Sequence, residues 1–106
     1  MKTFEEISDK IDRMQCEPIY DGEEKRECQN DIIQLLWWCC ETDRLGSHRT
    51  EEEIALRRTT LSEELIPWKL NPNFKKDLPY FITKNKIRFL DAVLDNTEWP
   101  VVDIYR

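Results

Sequence analysis

The chain has 106 residues and a formal net charge of −6, with 40% hydrophobic and 36% charged residues. This size suits one domain with a modest core, and the chain is too apolar to be disordered throughout. No apolar run approaches the roughly 20 residues that span a membrane, and the first residues lack the apolar stretch of a secretory signal. We therefore expect a cytoplasmic protein with no membrane partner, whose four cysteines are reduced.

The first predicted helix covers residues 3–16. Thr3 and Glu6 form a capping-box pattern at its start, and Pro18 ends it. Its apolar face recurs at helical spacing and consists of Phe4, Ile7, Ile11 and Met14.

The second predicted helix covers residues 23–45, and Gly46 lies directly after its end. At about 100° per residue, its apolar side chains occupy well over half of the circumference, more than a half-buried helix usually shows. The centre of this surface is a stripe formed by Cys28, Ile32, Leu35 and Cys39. The adjacent residues Trp37 and Trp38 diverge by about 100°, so that Trp38 flanks the core and Trp37 points to a second surface.

The third predicted helix covers residues 51–66, with a second capping box at Thr50 and Glu53 and a stop at Pro67. Its apolar face consists of Ile54, Leu61 and Leu65, interrupted by Arg58. Residues 67–79 contain three prolines and predict an irregular connector, packed down by Trp68, Leu70 and Phe74.

The fourth predicted helix covers residues 80–95, with Asn96 as its terminator. Its buried face consists of Ile87, Leu90, Val93 and Leu94. We therefore predict a single all-α domain over residues 1–106, with three or four helices packed around the long second helix. Residues 97–106 are expected to form a short β-strand or an extended arm.

The sequence offers little for catalysis. It has two glycines, one histidine and no nucleophile or metal-binding motif, so we predict a non-enzyme without catalytic residues, metal or cofactor. Cys16 and Cys28 flank the predicted turn between the first two helices, and this spacing allows a disulfide between them. A redox-switched or zinc-stabilised helical hairpin is therefore one alternative function.

The sharpest functional signal is the tryptophan that points away from the core. Tryptophan is enriched at the energetic centres of protein interfaces, and Trp37 is covered by this chain, by a second copy or by another protein. The predicted protein-binding residues are Trp37, Trp38, Glu41, Glu51, Glu52 and Glu53. We predict a regulator or inhibitor that engages a larger protein, by analogy of size and charge with domains carried by phages and mobile elements. In one version, carboxylates within residues 41–64 imitate nucleic-acid phosphates.

The second alternative is a nucleic-acid-binding module in residues 68–89. Basic and aromatic residues are interleaved there, as in proteins that bind single strands. The candidate residues are Trp68, Lys69, Phe74, Lys75, Lys76, Lys84, Lys86 and Arg88. The isoelectric point of about 4.8 argues against this function, and these aromatic residues also suit a core beneath solvated lysines.

Overall fold

The computed structural model describes residues 1–17 and 22–104. These residues form five α-helices and no β-strand, which confirms the predicted all-α class. The helices are α1 (Phe4–Cys16), α2 (Glu23–Cys40), α3 (Glu51–Glu64), α4 (Ile66–Leu70) and α5 (Leu78–Asp95). Among the described residues, none of the helices combines the length and the apolar composition that crossing a bilayer requires.

The long helix α2 lies in the middle of the fold, as predicted, and shares that place with α5. It packs against α1 on one side and α5 on the other, and α5 in turn packs against α3. The predicted stripe on α2 is buried in full, and so are most of the apolar faces predicted on the other helices. The buried members of those faces are Ile7, Ile11, Met14, Ile54, Leu61, Leu65, Ile87, Leu90 and Val93.

Both predicted capping boxes are formed. The hydroxyl of Thr3 accepts from the backbone N–H of Glu6 at 3.2 Å, and the Glu6 carboxylate accepts from the backbone N–H of Thr3 at 3.2 Å. Thr50 and Glu53 repeat this exchange at 3.2 and 3.3 Å. The backbone hydrogen bond from the cap lowers the pKa of each glutamate, so both helix starts are held at neutral pH by a charged acceptor.

The predicted end of the second helix at residue 45 is wrong, because α2 ends at Cys40. Arg49 donates from its backbone N–H to the carbonyl of Cys39 at 2.8 Å, and from its Nε to the carbonyl of Trp38 at 2.6 Å. Both carbonyls therefore accept hydrogen bonds from a residue outside the helix, and the chain leaves the helical path after Cys40. Gly46 does adopt a left-handed conformation with φ 78°, but within the following loop and not at a helix end.

The connector is shorter than predicted. Residues 66–70 form α4, and Pro67 lies in its first turn, where a missing N–H costs no helical hydrogen bond. Proline thus begins a helix here as well as ending the previous one. Trp68 is packed down as predicted and donates from Nε1 to the carbonyl of Lys75 at 3.0 Å, whereas Leu70 remains 80% exposed. Helix α5 begins at Leu78, two residues earlier than predicted, with Pro79 in its first turn.

The described part of the C-terminal arm runs over α5 without forming a strand. The buried amide of Asn85 donates from Nδ2 to the carbonyl of Asp103 at 2.7 Å and accepts at Oδ1 from the Asp103 N–H at 3.1 Å. Beside it, Val102 is buried, and the Trp99 ring lies 5.9 Å from that of Phe89. The side-chain amide of Asn85 therefore pairs with the backbone of Asp103 as a neighbouring β-strand would.

Replacing Asn85 with Ala should loosen the arm. The variant leaves both Asp103 backbone groups without a protein partner, so we expect a loss of about 1–3 kcal/mol in the free energy of unfolding. Urea denaturation measures this loss, and faster amide hydrogen exchange at Asp103 locates it. The control is Asn73→Ala, because the exposed Asn73 side chain makes no hydrogen bond among the described residues. Equal stability of the two variants would contradict the role of Asn85.

Candidate functional site

The two adjacent tryptophans lie in different surroundings. Trp38 is half-buried against the core, with the guanidinium carbons of Arg49 and Arg57 at 4.5 and 5.8 Å from its ring centroid. Trp37 is 45% exposed, and no described residue accepts a hydrogen bond from its indole N–H. Of the pair, Trp38 therefore serves the fold, and Trp37 is the side chain available to a partner.

Trp37 stands at one end of a groove between the last turns of α1 and the outer face of α2. The groove has a volume of about 500 Å³. Its lining residues are Met14, Gln15, Glu17, Arg26, Gln29, Asn30, Ile33, Gln34 and Trp37. Gln29 fixes the two walls to each other, since its Nε2 donates to the carbonyl of Met14 at 2.7 Å and the side chain is buried.

Three further amides line this groove and have no internal partner. The side chains of Gln15, Asn30 and Gln34 are exposed and make no hydrogen bond within the described residues. Each offers two donors and an acceptor carbonyl. Sequence patterns do not mark these residues as functional, because amides have no motif. The available signal was their spacing, which places Asn30, Gln34 and Trp37 on one face of α2.

A second, shallower depression lies at the C-terminal end of α2, and we call it the acidic cup. It is lined by Glu41, Thr42, Asp43, Arg49 and Glu53. Glu41 is the C-cap of α2 and follows Trp37 by four residues, so it lies about one helical turn beyond the Trp37 end of the groove. Glu53 is already engaged there by Thr50 and by Arg49 Nη1 at 3.3 Å.

The predicted protein-binding residues are therefore only partly assembled. Trp37, Glu41 and Glu53 line the groove and the cup, and Trp38 packs against the core. Glu51 and Glu52 are exposed in the first turn of α3, where negative charge favours the helix N-terminus. We refer to the groove, Trp37 and the acidic cup together as the Trp37 face.

The predicted nucleic-acid-binding residues are divided among several places. The Trp68 ring lies 5.3 Å from that of Phe74 and 5.4 Å from that of Tyr80, and Lys76 and Lys84 lie over Tyr80.

Lys69 and Lys75 are exposed on the segment that carries this cluster. Arg88 instead donates to the carbonyl of Val101 in the arm, and the half-buried Lys86 lies close enough to Cys28 to act on the charge of its thiolate. Three of the five aromatic side chains of the segment, Tyr80, Phe81 and Phe89, are buried.

All four cysteines are free thiols. Cys16 is exposed at the end of α1, whereas Cys28 is buried in the core, and no disulfide joins them in this structure. Burial raises the pKa of Cys28 to about 11 and that of Cys39 to about 12, which keeps both protonated at neutral pH. In residues 1–17 and 22–104, no three side chains of His, Cys, Asp or Glu are grouped as metal ligands.

Comparison with known proteins gives no relative from which a function could be inferred. No protein-family model, no curated protein and no solved structure matches the chain. The chemistry of the Trp37 face is therefore the basis for a functional proposal.

The buried thiols predict a loss of stability at high pH. A cysteine in the unfolded chain has a pKa near 9.0, whereas burial raises the pKa of Cys28 to about 11. Above pH 9 the unfolded chain loses this proton first, so the free energy of unfolding should fall between pH 9 and pH 11. Guanidinium denaturation at several pH values measures the fall, which should be smaller in Cys28→Ala. An identical pH dependence in both proteins would contradict the prediction.

Proposed function

We propose that the protein is a non-enzymatic regulator that binds a larger protein through the Trp37 face. The observation that carries this proposal is the exposure of Trp37 beside a groove. An indole with an open face and an unpaired N–H is both apolar and able to donate, which suits the buried centre of a protein interface.

The rigidity of the surroundings supports a binding role. Trp37 lies in the last turn of α2, whose end is fixed by Arg49, and Gln29 joins the groove walls. A side chain held on a fixed helix loses little conformational freedom when a partner binds.

The ionisation of nearby groups favours binding over acid–base chemistry. Hydrogen bonds from Thr50 lower the pKa of Glu53, and burial raises the pKa of Cys40. Both shifts keep the group in its ordinary state at neutral pH, whereas an acid–base catalyst needs a pKa near the working pH. The free thiols of all four cysteines are compatible with the cytoplasmic location that we propose.

The nucleic-acid alternative has less support. Of the aromatic rings in residues 68–89, only those of Trp68 and Phe74 remain accessible for stacking with a base. A nucleic-acid strand would also have to bind a protein of net charge −6. A salt titration of binding to single- and double-stranded oligonucleotides distinguishes the two functions, since phosphate contacts give a steep dependence on salt.

Mimicry of nucleic-acid phosphates is one form of the proposed function, and it can be tested without disturbing the fold. Glu53 belongs to a helix cap, so its charge reversal would also weaken α3. The double variant Glu51→Gln/Glu52→Gln spares the cap, places no positive charge at the helix N-terminus and should abolish partner binding under mimicry. Unchanged affinity in that variant rejects mimicry and leaves the Trp37 face as the binding surface.

Truncation of Trp37 should weaken partner binding strongly. We expect Trp37→Ala to weaken it by about 2 kcal/mol or more, roughly 30-fold in affinity, and we expect the chain to stay folded because 45% of the side chain is exposed. Affinity capture from native lysate supplies the partner, and calorimetry with the purified pair measures the loss. Leu56→Ala is the matched control, since Leu56 is 68% exposed on α3. Equal affinities of the two variants would refute the proposed function.

A further inference from the structure

We propose that the Trp37 face binds an extended, positively charged segment of its partner. The segment has about five to seven residues, with an apolar residue near the middle and Lys or Arg at one end. This inference rests on the proposed function, because it specifies which part of the larger protein is bound.

The length follows from the geometry of α2. The face begins at Arg26 and ends at Glu41, with Asn30, Gln34 and Trp37 on the same side of the helix between them. These 15 residues of separation correspond to about 22 Å along the axis. An extended chain rises about 3.3 Å per residue, so about seven residues span the whole face.

The amides indicate that the segment is extended. Gln15, Asn30 and Gln34 have no hydrogen-bond partner within the described residues, and an occupant of the groove would remove them from water. A helical occupant has already paired its backbone groups and would leave these amides unpaired, which costs affinity. An extended occupant brings its own unpaired N–H and C=O groups, and amides pair with both. The same pairing is present inside this protein, between Asn85 and the backbone of Asp103.

The apolar part of the groove determines the middle of the segment. Ile33 is half-buried and lies one helical turn from Trp37, so the two side chains form an apolar patch beside the amides. An aliphatic or aromatic side chain of the partner would cover both and exclude water from the indole.

The acidic cup determines the charge at one end. Within the described residues, Glu41 and Asp43 have no ion-pair partner, whereas the cation of the cup, Arg49, is bonded to Glu53 and to the carbonyl of Trp38. Three carboxylates against one guanidinium leave the cup with a charge of −2. A Lys or Arg of the partner complements this charge.

Selection from random linear 12-residue peptides displayed on phage tests this inference, with the immobilised full chain as target. We expect the enriched peptides to share an apolar residue and one or more Lys or Arg at a fixed spacing. A fluorescent synthetic version should bind Glu41→Lys/Asp43→Lys at least tenfold more weakly than wild type. The matched control is Glu63→Lys/Glu64→Lys, which makes the same charge change on exposed residues of α3 and should alter affinity less than twofold.

A second variant pair tests the extended conformation. Asn30→Ala/Gln34→Ala removes two amides that make no hydrogen bond within the described residues, so the fold should be unaffected and peptide affinity should fall about tenfold. Enrichment of acidic or helix-forming peptides would overturn the inference. Peptide affinity that is unchanged in Glu41→Lys/Asp43→Lys or in Asn30→Ala/Gln34→Ala would overturn it as well. Self-association of the wild type that is lost in Trp37→Ala would also overturn it, because a second copy would then occupy the face.

The failure of this inference differs from that of the proposed function. A native partner that depends on Trp37 but is not displaced by the selected peptide overturns the extended cationic segment alone. Absence of any binding that depends on Trp37 overturns both.

Discussion

The Trp37 face depends on where α2 ends, and Arg49 determines that point. Its backbone N–H and its Nε bind two successive carbonyls of the last turn, and its guanidinium lies over the Trp38 ring. The same guanidinium reaches Glu53, which caps α3. One side chain thus joins the end of one helix to the start of the next, with Trp37 in the last turn and the cup in the junction. Without these bonds the two carbonyls at the end of α2 would lose the partners that the rest of the chain provides.

The features that the sequence predicted correctly are those set by near neighbours. The capping boxes at Thr3 and Thr50 involve residues three apart, and the stripe on α2 repeats every helical turn. The end of α2 could not be predicted in this way, because its carbonyls bind a residue that lies ten and eleven positions further on. The position of Pro67 was ambiguous for a related reason. Proline is excluded from a helix interior but accepted in a first turn, and only the packing of Trp68 distinguishes the two.

The features of the candidate site can likewise be separated into those set by near neighbours in the sequence and those set by contacts between helices. The direction of Trp37, toward a second surface, was expected from the 100° between adjacent helical residues, given that Trp38 faces the core, whereas its cover was left open. The groove itself needed the pairing of α1 with α2, which brings Gln15 of one helix to the amides of the other. Glu53 is the opposite case. Its position within an acidic stretch indicated a binding role, whereas the sequence also contained its real engagement as the capping partner of Thr50.

The amides also explain why the chain leaves a large indole uncovered. An apolar face on that side of α2 would attract another helix of the same chain, as the opposite side attracts α5. Packing a helix over Asn30 and Gln34 would instead bury donors and acceptors that a helical backbone cannot pair. Helix α3 packs against α5, where Arg58 pairs with Asp91 at 2.5 Å, and the outer side of α2 carries the groove. The polar residues that line this groove are the same residues that an extended partner backbone would satisfy.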